Sequence, residues 1–197
     1  MTEVRRGRRP GAPDTRSAIL AAARAGFASH GYAGATIRAI AGDAGVDPAL
    51  VHHYFGSKDE LFIAALELPV DPRDLLAPAV AGDLDDVASR LLRVFLRVWD
   101  DPSMRLPLLG LVRGIGDPDG QRLVKDGFVR VVVRPLAEAM GVDQPERRTA
   151  LVVSQVIGLI VTRYLLELEP VASMPPDELV ATYAPTLQRY LTGDLPG

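Results

Sequence analysis

The chain has 197 residues, 48% of them hydrophobic, with 22 basic against 25 acidic side chains and a formal charge of −3. That length accommodates one small module and one larger core, because domains typically run to about 100–150 residues. The absence of cysteine excludes disulfides and thiolate chemistry, and the opening MTEVRRGRRPGAP lacks the apolar run of a secretory leader, so a cytoplasmic location is expected.

Residues 1–13 are rich in Pro, Gly and Arg and are expected to be disordered without a partner. Arg5, Arg6, Arg8 and Arg9 form a basic arm, either a solubilising tail or an arm that reaches a phosphate or the minor groove. A first helix over about 15–30 places Ile19, Ala23 and Phe27 on one face. Next comes TIRAIAGDAGVDPALVHHYFGSK, residues 36–58, which reads as two short helices joined by a tight turn. In the first, Ile37, Ile40, Ala41 and Ala44 share an apolar face and Thr36 stands at the N-cap. Gly45 ends it. Asp47 and Pro48 open the second, over about 48–55, with Leu50 and Tyr54 expected to face inward and Ala49, His52 and His53 outward. This is the layout of a helix-turn-helix, whose second helix enters the major groove. Ser57 with Glu60 forms a capping box for the following helix, whose buried stripe is Leu61, Phe62, Ala65 and Leu66.

Charge follows the same division. Residues 1–58 carry eight Lys/Arg against four Asp/Glu, and the remaining chain is −7. A positive field at one end attracts phosphates while the acidic remainder stays clear of the duplex.

The stretch from Ala18 to Leu66 resembles the N-terminal DNA-binding domain of TetR-family transcriptional regulators. Phe27, Gly31-Tyr32, Thr36, Ile40-Ala41, Ala44-Gly45-Val46 and the run Tyr54-Phe55-Gly56-Ser57-Lys58 leading to Glu60-Leu61 carry the resemblance, which covers about residues 15–66. The family usually has tyrosine where this chain has His52; histidine retains the capacity to donate a hydrogen bond to a phosphate. The resemblance implies an all-α protein: a basic arm at 1–13, a DNA-binding domain at 14–68, a linker at 69–82 and an effector-binding and dimerisation domain at 83–197. It also implies a double-stranded DNA operator, a small-molecule effector and a homodimer, with no membrane partner. The expected DNA-contacting set is Thr36, Arg38, Pro48, Ala49, His52, His53, Tyr54 and Lys58, together with Arg5, Arg6, Arg8 and Arg9. Thr36 and Lys58 are expected on phosphates, and half-sites about one helical turn apart. One small residue and two histidines offer few base hydrogen bonds, so thymine methyl contacts and DNA shape should carry much of the specificity.

Beyond the prolines at 69, 72 and 78 the pattern is helical again. Asp83 and Asp86 precede a helix whose Val87, Leu91, Val94, Phe95 and Val98 make a core face. Met104–Val112 reads as a short helix interrupted by Pro107, and Asp117-Pro118-Asp119-Gly120 as a turn before a helix over about 121–140. The helix over 146–168 is apolar on more than one face. Ser154, Gln155, Arg163 and Glu167 make it an implausible membrane span. Pro175-Pro176 opens the last helix, which Pro185 should kink. In the resembled family the last two helices pair across a two-fold axis, which implies an interface built from Val153, Val156, Ile157, Ile160, Val161, Tyr164, Tyr183, Leu187 and Tyr190. The alternative is that these apolar positions are all intramolecular core. Candidate effector-pocket residues are Phe95, Trp99, Met104, Arg113, Phe128 and Gln155, and Arg113 or Arg130 would pair an anionic ligand.

Enzymatic readings are thin. His30, His52 and His53 are the only histidines and lack metal-ligand spacing, so neither metal nor cofactor is expected. Gly114, Gly116 and Gly120 are read as turn glycines, and no nucleophile, base and orienter set assembles. The leading reading is a ligand-responsive repressor. Activation, or a ligand-sequestering or protein-interaction module with vestigial DNA binding, remain open alternatives.

Overall fold

The computed structural model describes residues 14–196, so the basic arm lies outside the described residues. All the regular structure among the described residues is helical, in two units that divide between Leu66 and Glu67.

The first unit holds α1 (Thr15–Gly34), α2 (Ile37–Ala44), α3 (Pro48–Phe55) and α4 (Lys58–Ala65). Regular helix in α1 breaks at Gly31, whose φ of 69° a side chain would resist. Ile19, Ala23 and Phe27 are fully buried, as their spacing predicts. The break turns Tyr32 back onto the core, where its ring stacks on Phe27 at 5.9 Å and meets the edge of Phe62 at 5.6 Å. Phe27 and Phe62 pack edge to face at 5.2 Å. These three rings, with Ile40, Ala41, Val51 and Leu61, form the unit's core.

In the second unit the stretch expected to be a linker is structured. Asp71 accepts from the Arg73 amide at 2.8 Å and Pro72 fills the first turn, so α5 (Pro72–Val80) forms, with Pro78 inside it, and packs against the next helix. That helix, α6 (Val87–Trp99), buries Val87, Ala88, Leu92, Leu96 and Trp99. Of the expected core face only Val87 is fully buried; Leu91, Val94, Phe95 and Val98 are half-buried and face a cavity. Asp86 does not cap α6 but pairs with Arg90. The cap comes instead from the last helix, residues Pro176–Thr192: the Gln188 side-chain oxygen accepts from the Ala88 amide at 3.0 Å while its NH₂ donates to the Leu84 carbonyl at 2.6 Å.

Helix α7 (Pro102–Arg113) runs through Pro107, and one 3₁₀ turn leads to α8 (Pro118–Arg122), capped by Asp117. Gly120 is more than a turn residue. A Cβ there would lie 1.9 Å from the Gly114 carbonyl oxygen, so glycine permits the two backbones to meet. From Leu123 to Val133 the helix continues in wide π-type turns before α9 (Arg134–Ala139). Pro135 has no N–H to give the Val131 carbonyl, and its ring would crowd that carbonyl, which favours the wider winding just before it.

Helix α10 (Pro145–Ile160) and α11 (Pro176–Thr192) complete the unit. Arg148, 5% exposed, joins them: its guanidinium donates to the Asp143 carbonyl and carboxylate and to the carbonyls of Tyr190 and Gly193 at 2.9–3.0 Å. Val80, Val87, Ala88, Leu92, Leu96, Leu159, Leu179, Val180, Ala184, Leu187 and Leu191 make the main core.

Candidate nucleic-acid interface and cavity

The helix-turn-helix is held by caps at each corner. Thr36 Oγ1 accepts from the Ala39 amide at 3.1 Å, Asp47 from the Ala49 amide at 2.7 Å, and Ser57 from the Glu60 amide at 3.1 Å. Gly45 turns the chain at φ 68°, and the Val46 amide then closes onto the Ala41 carbonyl at 2.9 Å. Each cap satisfies a helix-end N–H that has no partner within its helix, which fixes where α3 begins.

Helix α3 is rotated from the expected phase. Val51, 1% exposed, and Phe55 are its inward residues, whereas Leu50 and Tyr54 are exposed at 39% and 42%. Both pairs satisfy an i, i+4 spacing, and the aromatic face of Arg16-capped Phe55, with the guanidinium 5.3 Å from its ring, belongs to the core side. The outward face is therefore Ala49, Leu50, His52, His53 and Tyr54. His53 and Tyr54 meet edge to face at 5.5 Å. His52 Nδ1 lies 3.0 Å from the Gly56 carbonyl oxygen; a carbonyl only accepts, so Nδ1 holds a proton and donates it there, which leaves Nε2 for other partners.

Thr36 and Arg38 are exposed at the start of α2, Pro48 is half-buried at the start of α3, and Lys58 opens α4. The Lys58 ammonium sits 4.5 Å over the Tyr32 ring, whose hydroxyl donates to Asp59. The lysine is thereby steered by an aromatic face as well as by the helix that carries it.

The second unit contains an apolar cavity of about 280 Å³ among all its principal helices. Of the expected effector-pocket residues, Phe95, Trp99 and Phe128 line it, with Phe95 and Trp99 stacked at 5.7 Å. Met104, Arg113 and Gln155 do not, and neither does Arg130. Arg113 and Arg130 are exposed side chains that their helices turn outward, while Met104 and Gln155 are half-buried away from the wall. Val124, Val129, Val133 and Met140 are wall residues that the sequence reading missed; the valine run in a helical stretch was their one visible sign.

The expected dimer-interface residues divide. Ile160 and Leu187 are buried within the subunit at 5% and 4% exposure, and Val153, Val156 and Ile157 line the cavity. Tyr183 and Tyr190 are half-buried against the main core. The Tyr164 hydroxyl donates to Asp100 at 2.9 Å; burial first, then that bond, pushes its proton affinity well above the usual phenol range. Val161 is half-buried. The surface that α10 presents outward contains Ala150, Ser154 and Gly158. The segment Pro145–Leu165 is long and apolar enough by composition to cross a membrane, yet it packs in the unit against α9 and α11.

A capped, well-exposed second helix flanked by Thr36, Arg38 and Lys58 defines a helix-turn-helix protein of the DNA-binding class. Residues 19–65 match the family model for bacterial regulatory proteins of the tetR family, and residues 85–191 match that for the tetracyclin repressor-like C-terminal domain. The chain belongs to the TetR family of bacterial regulatory proteins. It is 43% identical over 70 residues to the HTH-type transcriptional repressor SCO4008 of Streptomyces coelicolor, a match covering 31% of this chain and 36% of that one. It is 34% identical over 128 residues to the HTH-type transcriptional regulator BetI of Stenotrophomonas maltophilia, covering 54% and 63% respectively. The matched stretches thus span less than two thirds of these curated relatives. Among solved structures, a TetR-family regulator from Streptomyces coelicolor is 37% identical, with 94% of this chain and 98% of that one covered and a TM-score of 0.48.

Proposed function

We propose that the protein is a ligand-responsive repressor that binds a palindromic operator as a homodimer, with α3 of each subunit in a major groove. The observation that carries this reading is the outward face of α3, five consecutive-turn side chains left exposed on a helix capped at its start and anchored by Val51 and Phe55. Ala49 and Leu50 present apolar atoms to thymine methyls, and His52, with Nδ1 engaged by the Gly56 carbonyl, offers Nε2 to a base edge. Thr36, Arg38 and Lys58 supply phosphate contacts that set register without reading sequence.

Dimerisation is supported by α10. Its exposed small residues Ala150, Ser154 and Gly158 allow a second helix to approach closely. Response to a ligand is supported by the cavity, whose wall includes α5, the helix that follows α4 along the chain. Filling it biases the position of α5, and ligand and operator then compete through one conformational equilibrium.

The test is selection of fragments from sheared DNA of the source organism by the purified protein, followed by sequencing. Recovery of a palindrome with half-sites about one helical turn apart supports the reading. Recovery of nothing specific by a folded dimer overturns it.

A further inference from the structure

We infer that the ligand of the cavity is a neutral, apolar, aromatic molecule of about two fused rings, held without any ionic contact. The inference rests on the ligand-responsive reading above and deepens it.

Among the described residues the wall contains no Asp, Glu, Lys, Arg or His, and its polar side-chain groups are the Thr149 hydroxyl and the Trp99 indole N–H. The wall residues on α6, α9, α10 and α11 belong to helices, whose backbone polar groups are largely committed to intrahelical bonds. A charged ligand would therefore surrender its hydration to a surface that returns nothing, a cost that ordinarily exceeds what packing restores. Water is poorly served too, since a buried water needs two to four polar partners and the wall offers one hydroxyl and one indole N–H, carried on different helices. An unfilled cavity of this size forfeits dispersion contacts around its whole lining.

What the wall does offer is π surface and aliphatic surface. Phe95 and Trp99 stack on one side, and Phe128 comes from the wide-turned segment. The wide winding is what assembles that side: at more than four residues per turn, Val124, Phe128 and Val133 come round to one face, where a regular helix would spread them. A cation over these rings is the rival occupant, but ring attraction alone does not offset loss of hydration without a carboxylate nearby. Size follows from volume. Apolar cavities of about 150 Å³ take up benzene, so 280 Å³ matches roughly two fused rings.

Trp99 makes the test direct, because it is the only tryptophan in the chain and it lines the cavity. The purified full chain, without DNA, is titrated with three isosteres that differ only in charge: naphthalenemethanol, naphthoate and naphthylmethylammonium. The expected result is a saturable change in Trp99 emission and a raised thermal midpoint with the neutral compound, and binding at least about 100-fold weaker for both ions. Equal or tighter binding of either ion overturns the inference, as does absence of any response to the neutral compound. Val156→Phe, or Val124→Phe from the opposite side should the first fail to fold, fills the space and is expected to weaken neutral binding at least tenfold. Full affinity in a folded, filled variant also overturns it. Because operator release is assayed separately, a neutral compound that binds but leaves DNA affinity unchanged defeats the ligand-responsive reading alone.

Discussion

Lys58 and His52 stand close in sequence but are placed for different tasks. Lys58 projects from the first turn of α4, steered over Tyr32, and its ammonium is a point charge suited to a phosphate. Replacing it with alanine should weaken binding about equally for operator and random duplex and lower the salt slope by about one. His52 instead holds its Nδ1 proton on the Gly56 carbonyl, and in the proposed complex it is Nε2 that meets the groove. His52→Ala should cost about 1–3 kcal/mol at the operator and much less on random DNA, so that discrimination falls. Competitive titrations against both duplexes at several salt concentrations separate the two. Loss of discrimination in the lysine variant, with none in the histidine variant, would reverse these roles.

At the scale of elements, the phase of α3 decides which side chains meet DNA and which hold the helix. Val51 is fully buried while Leu50 is 39% exposed, so Val51→Ala should destabilise the protein by about 2 kcal/mol and Leu50→Ala by under about 0.5 kcal/mol in denaturant unfolding. Equal losses would mean that the helix is rotated by a residue. The caps, the turn at Gly45 and the start of α3 were legible in the sequence because each depends on local chemistry within four residues. The rotation of α3 was not, because Leu50/Tyr54 and Val51/Phe55 have the same spacing and only packing against the other helices chooses between them. The linker prediction failed for a related reason: Asp71-Pro72 is as good an opening for a helix as prolines are at ending one, and the presence of α6 beside it settles the matter. In the junction of α10 and α11, Asp143 has its carboxyl held below its ordinary value of 3.8, chiefly by the hydrogen bond from Arg148. A lowered folded-state value means a contribution to stability that is complete above the unfolded value and lost as pH falls through the folded one. Arg148→Met should therefore lose stability at neutral pH and also flatten the decline in stability below about pH 4. Thermal unfolding of both proteins across that acid range is the check, and parallel pH profiles would show that the pair contributes nothing.

At the scale of the whole molecule, the proposed dimer determines whether one weak readout becomes a specific one, since two half-sites read together multiply what a short α3 face achieves alone. The sequence identified α10 as too apolar for one subunit, and it offered both the aliphatic positions and the small pair Ser154 and Gly158, four apart, to a partner helix. Aliphatic residues at Val153, Val156 and Ile157 turned out to face the cavity, and the exposed surface includes the small residues Ala150, Ser154 and Gly158. Hydrophobicity alone could not separate a helix side that faces a ligand space from one that faces a partner, because both are apolar or neutral. Gly158 provides the discriminating variant. A Cβ at this position meets nothing within 4 Å in the subunit, so Gly158→Arg leaves the monomer's packing intact and places a long charged side chain where a second helix would approach. The expected outcome is a protein with unchanged helical content that sediments as a monomer and loses operator affinity, because each half-site contact must then stand alone. Retention of the dimer by this variant would exclude the Gly158 face of α10 from the interface and direct attention to α11 or to another surface.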